Sequence, residues 1–276
     1  MSKLQDVPVL RVVPVENLVL HEETDPRRVE GLMHRIREDG LLKNPPVVAP
    51  MSQAGHYVVL DGANRTAALA GLGVRDAVVQ VVDYNEVDVN TWNHLVVGMD
   101  GDRLFEAIRS IRGVSVRSAD LETARRLRRE RAILAYMVGP ADEVHIIEGG
   151  TTVQQSAHML VEMSNIYRGE AAIYRVQTDN TDELQSYYDD VAATIIYPPF
   201  QPADIQHLAS NSAKLPTGVT RHIIPRRALR VNIGLDFLTE DRPLEEKNKW
   251  LQTWLRRKLQ NKEVRYYEEP TFLFDE

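Results

Sequence analysis

Apolar positions along this chain switch between two periods. Residues 8–22, "PVLRVVPVENLVLHE", read as strand, turn, strand. "DPRRVEGLMHRIREDG" then takes helical spacing, with Val29, Leu32, Met33 and Ile36 on one face. Asp25 is placed to cap that helix, Pro26 starts it and Gly40 ends it. "NPPVVAP" and "HYVVLDG" are short strands, "ANRTAALAGLG" is a helix closed by glycine, and "DAVVQVVDY" is another strand. Strands alternating with helices make this half mixed α/β.

The remainder is less regular. Residues 101–132 look helical and arginine-rich. "VHIIEGG" and "AAIYRVQTD" read as strands, with a helix "TVQQSAHMLVEMSNIY" between them. "TDELQSYYDDVAA" reads as a helix leading into the strand "TIIYPPF". A polar loop, "NSAKLPTGVTRHIIPRR", precedes a strand "ALRVNIGLDFL" and a last helix "RPLEEKNKWLQTWLRRKLQ". In that helix Trp250 and Trp254 stand at i, i+4 and are simplest as core. A division at "GMDGD" is expected, giving units 1–100 and 101–276. The predicted class is α/β in the mixed α+β sense.

Composition narrows the chemistry. With no cysteine, disulfides, thiolate metal sites and cysteine nucleophiles are excluded. The net charge of -7 does not suggest wholesale binding to nucleic acid or an anionic membrane. No apolar run is long enough for a membrane span, so a soluble cytoplasmic protein is expected. No Walker loop, protein-kinase motif set or H-E-x-x-H pair is present.

The most pointed feature is "VVLDGANRTAALAGLG", residues 58–73, where an apolar strand turns into a helix through Asp61-Gly62. The first backbone N–H groups of such a helix and its dipole form an anion site. Arg65 in the first turn adds a bidentate phosphate ligand, and Asn64 a further donor. Asp61 would hold Mg²⁺ through water or orient a substrate hydroxyl. In the plainer alternative Asp61 caps the helix and Arg65 lies on the surface.

This turn resembles the DG-x-x-R segment of the ParB/sulfiredoxin superfamily, and the upstream order of strand, helix, "GLLKNP" and strand fits the same pattern. Within the superfamily, the chain resembles the free serine kinases. Its marks are His21-Glu22 after the first strands, the DG-x-x-R turn, and the later "PTGVTRHIIP" at 216–225. Sulfiredoxin chemistry needs a cysteine that is absent here. ParB proteins carry an arginine pair in the turn, where this chain has "ANR", and continue into a helix-turn-helix. Many serine kinases have a histidine between the Gly and Arg of the turn, and this chain does not.

The resemblance implies a ParB/sulfiredoxin-like N-terminal domain and a second α/β domain with the active site in the cleft between them. It implies phosphorylation of the L-serine hydroxyl, or that of a similar hydroxy amino acid, with ADP or ATP and Mg²⁺, to give O-phosphoserine. Such a hydroxyl needs a carboxylate beside it. The resemblance places Glu22 there as catalytic base, and Asp61 at the turn is the second catalytic residue, holding Mg²⁺ through water or orienting the hydroxyl. His21 would orient Glu22 or touch phosphate. Gly62, Asn64, Arg65, Thr217, Gly218, Thr220, Arg221 and His222 would bind nucleotide or phosphate. Trp92 and His94 of "TWNHLVV" are expected to face the same way on a strand and wall the amino-acid pocket, although Trp92 would also serve as core with His94 as its half-buried partner. Glu23 is the rival acid, pointing elsewhere if the segment is extended.

Residues 103–131 hold nine arginines against four acids. They leave a second reading, a ParB-like nucleotide-responsive DNA-binding regulator, although a solvated helical face explains the same charges. The expected partners are a nucleotide and a small amino acid, without membrane or nucleic acid. The sequence fixes neither the donor nucleotide nor an oligomeric state.

Overall fold

The structure, a computed structural model, describes residues 7–267. Its first sheet contains β1 (Val9–Pro14), β2 (Leu18–Leu20), β4 (Val47–Pro50), β5 (Tyr57–Asp61) and β6 (Asp76–Val81) in the order β1-β6-β4-β5-β2. The short β3 (Leu41–Leu42) pairs instead with β15 (Ile233–Gly234). β5 is buried on both faces. Tyr57 and Val59 enter one apolar cluster, while Val58 and Leu60 enter another that is shared with the second sheet. That double burial explains an unbroken apolar run where a half-exposed strand would alternate.

The second sheet contains β8 (Asn93–Val97), β9 (Ser115–Ser118), β10 (Ala135–Val138), β11 (Val144–Glu148), β12 (Ala172–Val176) and β13 (Val191–Ile196). Its order is β12-β8-β13-β10-β11-β9, with antiparallel neighbours throughout. A separate ribbon joins β7 (Asp88–Thr91) to β14 (Thr220–Ile223).

The first helix, α1 (Pro26–Asp39), starts as its sequence predicts. The Asp25 carboxylate accepts from the N–H groups of Arg27 and Arg28, and Gly40 closes the helix at φ +63°. α2 (Ala63–Gly71) follows β5 directly. Between residues 101 and 132, α3 (Gly101–Arg109) and α4 (Leu121–Arg129) are separated by β9, a sheet-edge strand. The segment is therefore no helix-turn-helix. α5 (Val153–Tyr167), α6 (Thr181–Gln185), α7 (Pro202–Ser210), α8 (Leu235–Thr239) and α9 (Leu244–Gln260) complete the helices described.

Three local expectations are corrected. The helix expected over 181–193 ends at Gln185, since β13 takes the chain from Val191. The strand expected over 228–238 shrinks to β15, and Leu235–Thr239 is helical. Trp250 is 37% exposed and packs on Phe237 with ring centroids 4.2 Å apart, so it lies at the surface.

The sheets also divide the chain differently from a cut at residue 100. β8 precedes residue 100 yet belongs to the second sheet, and residues 233–260 return to the first. Leu238 and Leu251 are buried with Leu10 and Val12. Asn248 bonds both backbone groups of Val12, at 3.0 and 2.9 Å, covering a sheet edge. Lys247, fully buried, pairs with Asp76 at 2.7 Å and donates to the Leu238 carbonyl.

Candidate active site

The chemistry-bearing residues meet where the end of β2, the β5–α2 turn and the loop before β14 converge. Glu22 lies just beyond β2 and is 8% exposed. Its backbone bridges to Leu215, with Leu215 N–H donating to the His21 carbonyl and Glu23 N–H to the Leu215 carbonyl. The loop then closes on the carboxylate. Gly218 N–H donates to Oε2 at 2.8 Å, while Thr220 N–H and Thr220 O–H both donate to Oε1 at 2.6 Å. A carboxylate has about four lone-pair positions, so one is left on Oε2 for a substrate hydroxyl.

His21 is buried beside it. Nδ1 lies 2.8 Å from the Val59 carbonyl, which fixes Nδ1 as the donor, and Nε2 lies 2.9 Å from Thr220 Oγ1. The single Thr220 hydroxyl hydrogen thus faces two acceptors, Nε2 and Glu22 Oε1. Burial lowers the pKa of His21 against the pull of the Glu22 charge, keeping the ring neutral.

Across from Glu22, Gly62 adopts φ +93° and caps α2. A Cβ there would lie 3.0 Å from Arg65 Nη2 and 3.2 Å from Pro46 Cα, so glycine is required for both conformation and space. Asp61 Oδ2 accepts from Arg65 and from Arg227, each at 2.9 Å. Arg65 is largely buried, and among the described residues its Nε–H has no acceptor. Asn64 Oδ1 accepts the Asp25 N–H at 3.0 Å, tying the start of α1 to this turn.

Several expected ligands occupy other roles. Thr217 O–H donates to the Glu23 carbonyl at 2.7 Å, so that hydroxyl, like the N–H groups of Gly218 and Thr220, is committed to the Glu22 segment. β14 alternates its faces. Thr220 and His222 point toward His21, while Arg221 stacks over Trp92, 4.5 Å from the ring centroid. His222 is buried, with Nε2 hydrogen-bonded to the Tyr84 hydroxyl at 2.8 Å. Burial above all, with His21 beside it, lowers its pKa to about 3, so it offers no positive charge to a phosphate.

Trp92 and His94 do not share one strand, because Trp92 is the residue that separates β7 from β8. His94 is 3% exposed and bonds Tyr167 at 2.9 Å and Tyr197 at 3.1 Å. Burial pulls its pKa to about 3, aided by Arg175 and Arg168. It is a neutral core histidine. Glu23 pairs with Arg168 at 2.8 Å.

Sequence reasoning missed Arg227 and Arg175. Arg227 sits in an arginine pair that reads as ordinary surface charge. Arg175 lies on β12, whose sequence gives no sign that it faces Glu22. Among the described residues, no group of three or more His, Asp or Glu side chains forms a metal site of its own.

No family model matches the chain. Among curated proteins, an ATP-dependent L-serine kinase, SbnI of Staphylococcus aureus, is 27% identical over 270 residues, 97% of each chain. The chain resembles the L-serine kinases over nearly its whole length. An ADP-dependent L-serine kinase, SerK of Thermococcus kodakarensis, is 23% identical across 84% of this chain and 96% of that relative. A solved free serine kinase in complex with AMP superposes with TM-score 0.71 at 18% identity, covering 84% of this chain and 94% of the kinase. The mixed α/β architecture is thus that of the serine kinases. No helix among the described residues is long and apolar enough to cross a membrane.

Proposed function

We propose that the chain transfers a phosphoryl group from ATP or ADP to the hydroxyl of free L-serine, giving O-phosphoserine. The observation that carries this reading is the Glu22 carboxylate, buried and held by three donors with one lone-pair position left, opposite the anion-binding turn at Asp61–Arg65. Phosphoryl transfer asks for little covalent chemistry from the protein. It needs positioning, charge neutralisation and a group that takes the nucleophile's proton. In this reading Glu22 orients the serine hydroxyl and accepts its proton. The first N–H groups of α2 and the Arg65 guanidinium hold phosphate oxygens. The full-length likeness to L-serine kinases supports the substrate, and relatives named for ATP and for ADP support a nucleotide donor.

Mg²⁺ belongs to the same reading. It ordinarily takes one or two carboxylates plus substrate phosphates and keeps several waters. Asp61, 36% exposed beside the turn, is a ligand of that kind, directly or through water. The ion would neutralise phosphate charge there. Asp61 is itself kept in place by Arg65 and Arg227, so these cations and the ion compete for one carboxylate.

The regulator reading finds less support. Seven of the nine arginines over 103–131 are engaged within the chain, for example Arg125 with Asp179, Arg128 with the Tyr197 carbonyl and Arg131 with Asp204. A nucleotide and amino-acid panel read by phosphorus NMR tests the proposal. Phosphoserine with ATP or ADP and Mg²⁺ is the expected product, and none with either nucleotide would sink it.

A further inference from the structure

Arg175 has no place in the scheme so far, yet its head group lies against the loop that holds Glu22. It is an exposed residue of the edge strand β12. Its guanidinium is laid against Gly218, the residue whose N–H holds Glu22 Oε2. A Cβ built on Gly218 would fall 1.8 Å from Nη2, 2.3 Å from Cζ and 2.5 Å from Nε, so the planar group itself covers the glycine. Among the described residues, no carbonyl or carboxylate accepts a hydrogen bond from it. Burial draws its pKa down and Arg28 adds to that, while Glu22 and Asp61 draw it up. A guanidinium stays charged under such pressures. The site therefore keeps a cation against the glycine whose N–H holds the carboxylate proposed as base.

We propose that Arg175 is the specificity residue for the acceptor, binding the carboxylate of the amino-acid substrate while Glu22 faces its hydroxyl. The inference rests on the serine-kinase reading. The planar fork of arginine matches a carboxylate through two parallel hydrogen bonds. Serine carries hydroxyl and carboxylate on adjacent carbons' substituents, so two anchors flanking Gly218 suit it. The phosphate turn already has Arg65 and Arg227 on the first sheet's side of the cleft, whereas Arg175 comes from the second sheet. A substrate held by both sheets is recognised at both ends.

The test compares Arg175→Gln and Arg175→Lys with the wild type, using L-serine and ethanolamine, which has the hydroxyl and amine but no carboxylate. Thermal melting checks the fold, and calorimetry measures L-serine binding independently of turnover. In Arg175→Gln, the KM for serine should rise about 100-fold and the preference for serine over ethanolamine should largely vanish, because a two-bond, charge-assisted pair is lost. The nucleotide KM should move less than about threefold, and Arg175→Lys, which keeps charge without the fork, should fall between. An unchanged serine KM in a folded Arg175→Gln, or a rise in nucleotide KM alone, overturns the proposal and would leave the kinase reading standing. Serine binding that is lost in Arg175→Gln, from a wild type that makes no phosphoserine, would support the proposal and sink the kinase reading. A wild type that neither binds nor phosphorylates serine overturns both.

Discussion

Gly218 N–H donates to Glu22 Oε2 at 2.8 Å, joining residues 196 positions apart. Together with the two Thr220 donors, this bond makes the Thr-Arg-His loop a clamp on the acid, a different role from the nucleotide ligand that its composition suggests. Replacing Glu22 therefore has two consequences. Glu22→Gln puts an amide NH₂ against a backbone N–H that needs an acceptor, an unsatisfied contact of about 1–3 kcal/mol. It also removes the proposed base, worth about 10²–10⁴-fold. Turnover should fall on that scale with a lower melting temperature, while nucleotide binding by titration persists. Glu23→Gln keeps an acceptor for Arg168 and should retain most of the turnover.

Gly218 itself is a second point of failure. It holds φ +71°, a conformation that disfavours a side chain, and a Cβ would displace the Arg175 guanidinium. Gly218→Ala should cost about 1–2 kcal/mol of stability from backbone strain. It should also raise the serine KM as Arg175→Gln does. A denaturant midpoint and steady-state kinetics on one preparation would check both.

The buried Lys247–Asp76 pair fastens α9 to the first sheet, far from the chemistry. Lys247→Met leaves Asp76 buried without its cation and should destabilise by about 3–5 kcal/mol. The double variant Lys247→Met/Asp76→Leu should recover much of this. Urea unfolding of the three variants gives the comparison.

Stability should fall with acid through the buried histidines, His21 among them. His94 and His222 have folded pKa values lowered from 6.5 to about 3 by burial. The unfolded chain binds their protons below about pH 6.5 and the folded chain does not. Stability is therefore full above 6.5 and lost progressively as pH falls toward 3. Each contributes a slope of about 1.4 kcal/mol per pH unit in that window. Urea midpoints at pH 7 and 5 measure the loss, and His94→Gln should remove the share of the slope that His94 carries, about 1.4 kcal/mol per pH unit.

No discrete complex with DNA is expected at physiological salt, because the paired arginines of α4 offer few free cations. A gel shift with competitor DNA, using the region upstream of the gene, measures it. A surviving complex would favour the regulator reading.

Much of the first sheet was legible from local pattern. Asp25 and Pro26 specify the start of α1, and Gly40 and Gly62 specify left-handed turns. The same reasoning failed where burial or pairing is decided at a distance. Residues 228–238 read as a strand, yet only Ile233 and Gly234 find a partner, in β3. His94 read as a pocket wall or a half-buried partner of Trp92, and only the packing supplies Tyr167 and Tyr197 as its partners.

The sequence alone determined the turn between β5 and α2, since Asp61, Gly62 and Arg65 interact within one helical turn and their spacing sets the geometry. It also brought His21-Glu22 and the 216–225 loop forward, through the family resemblance. Which donors hold Glu22, which arginine lies over Gly218, and that Arg221 faces Trp92 while Arg227 reaches Asp61 were decided by tertiary structure alone. These contacts join distant segments, and their partners depend on which face of β14 and which edge of the second sheet come to border the cleft.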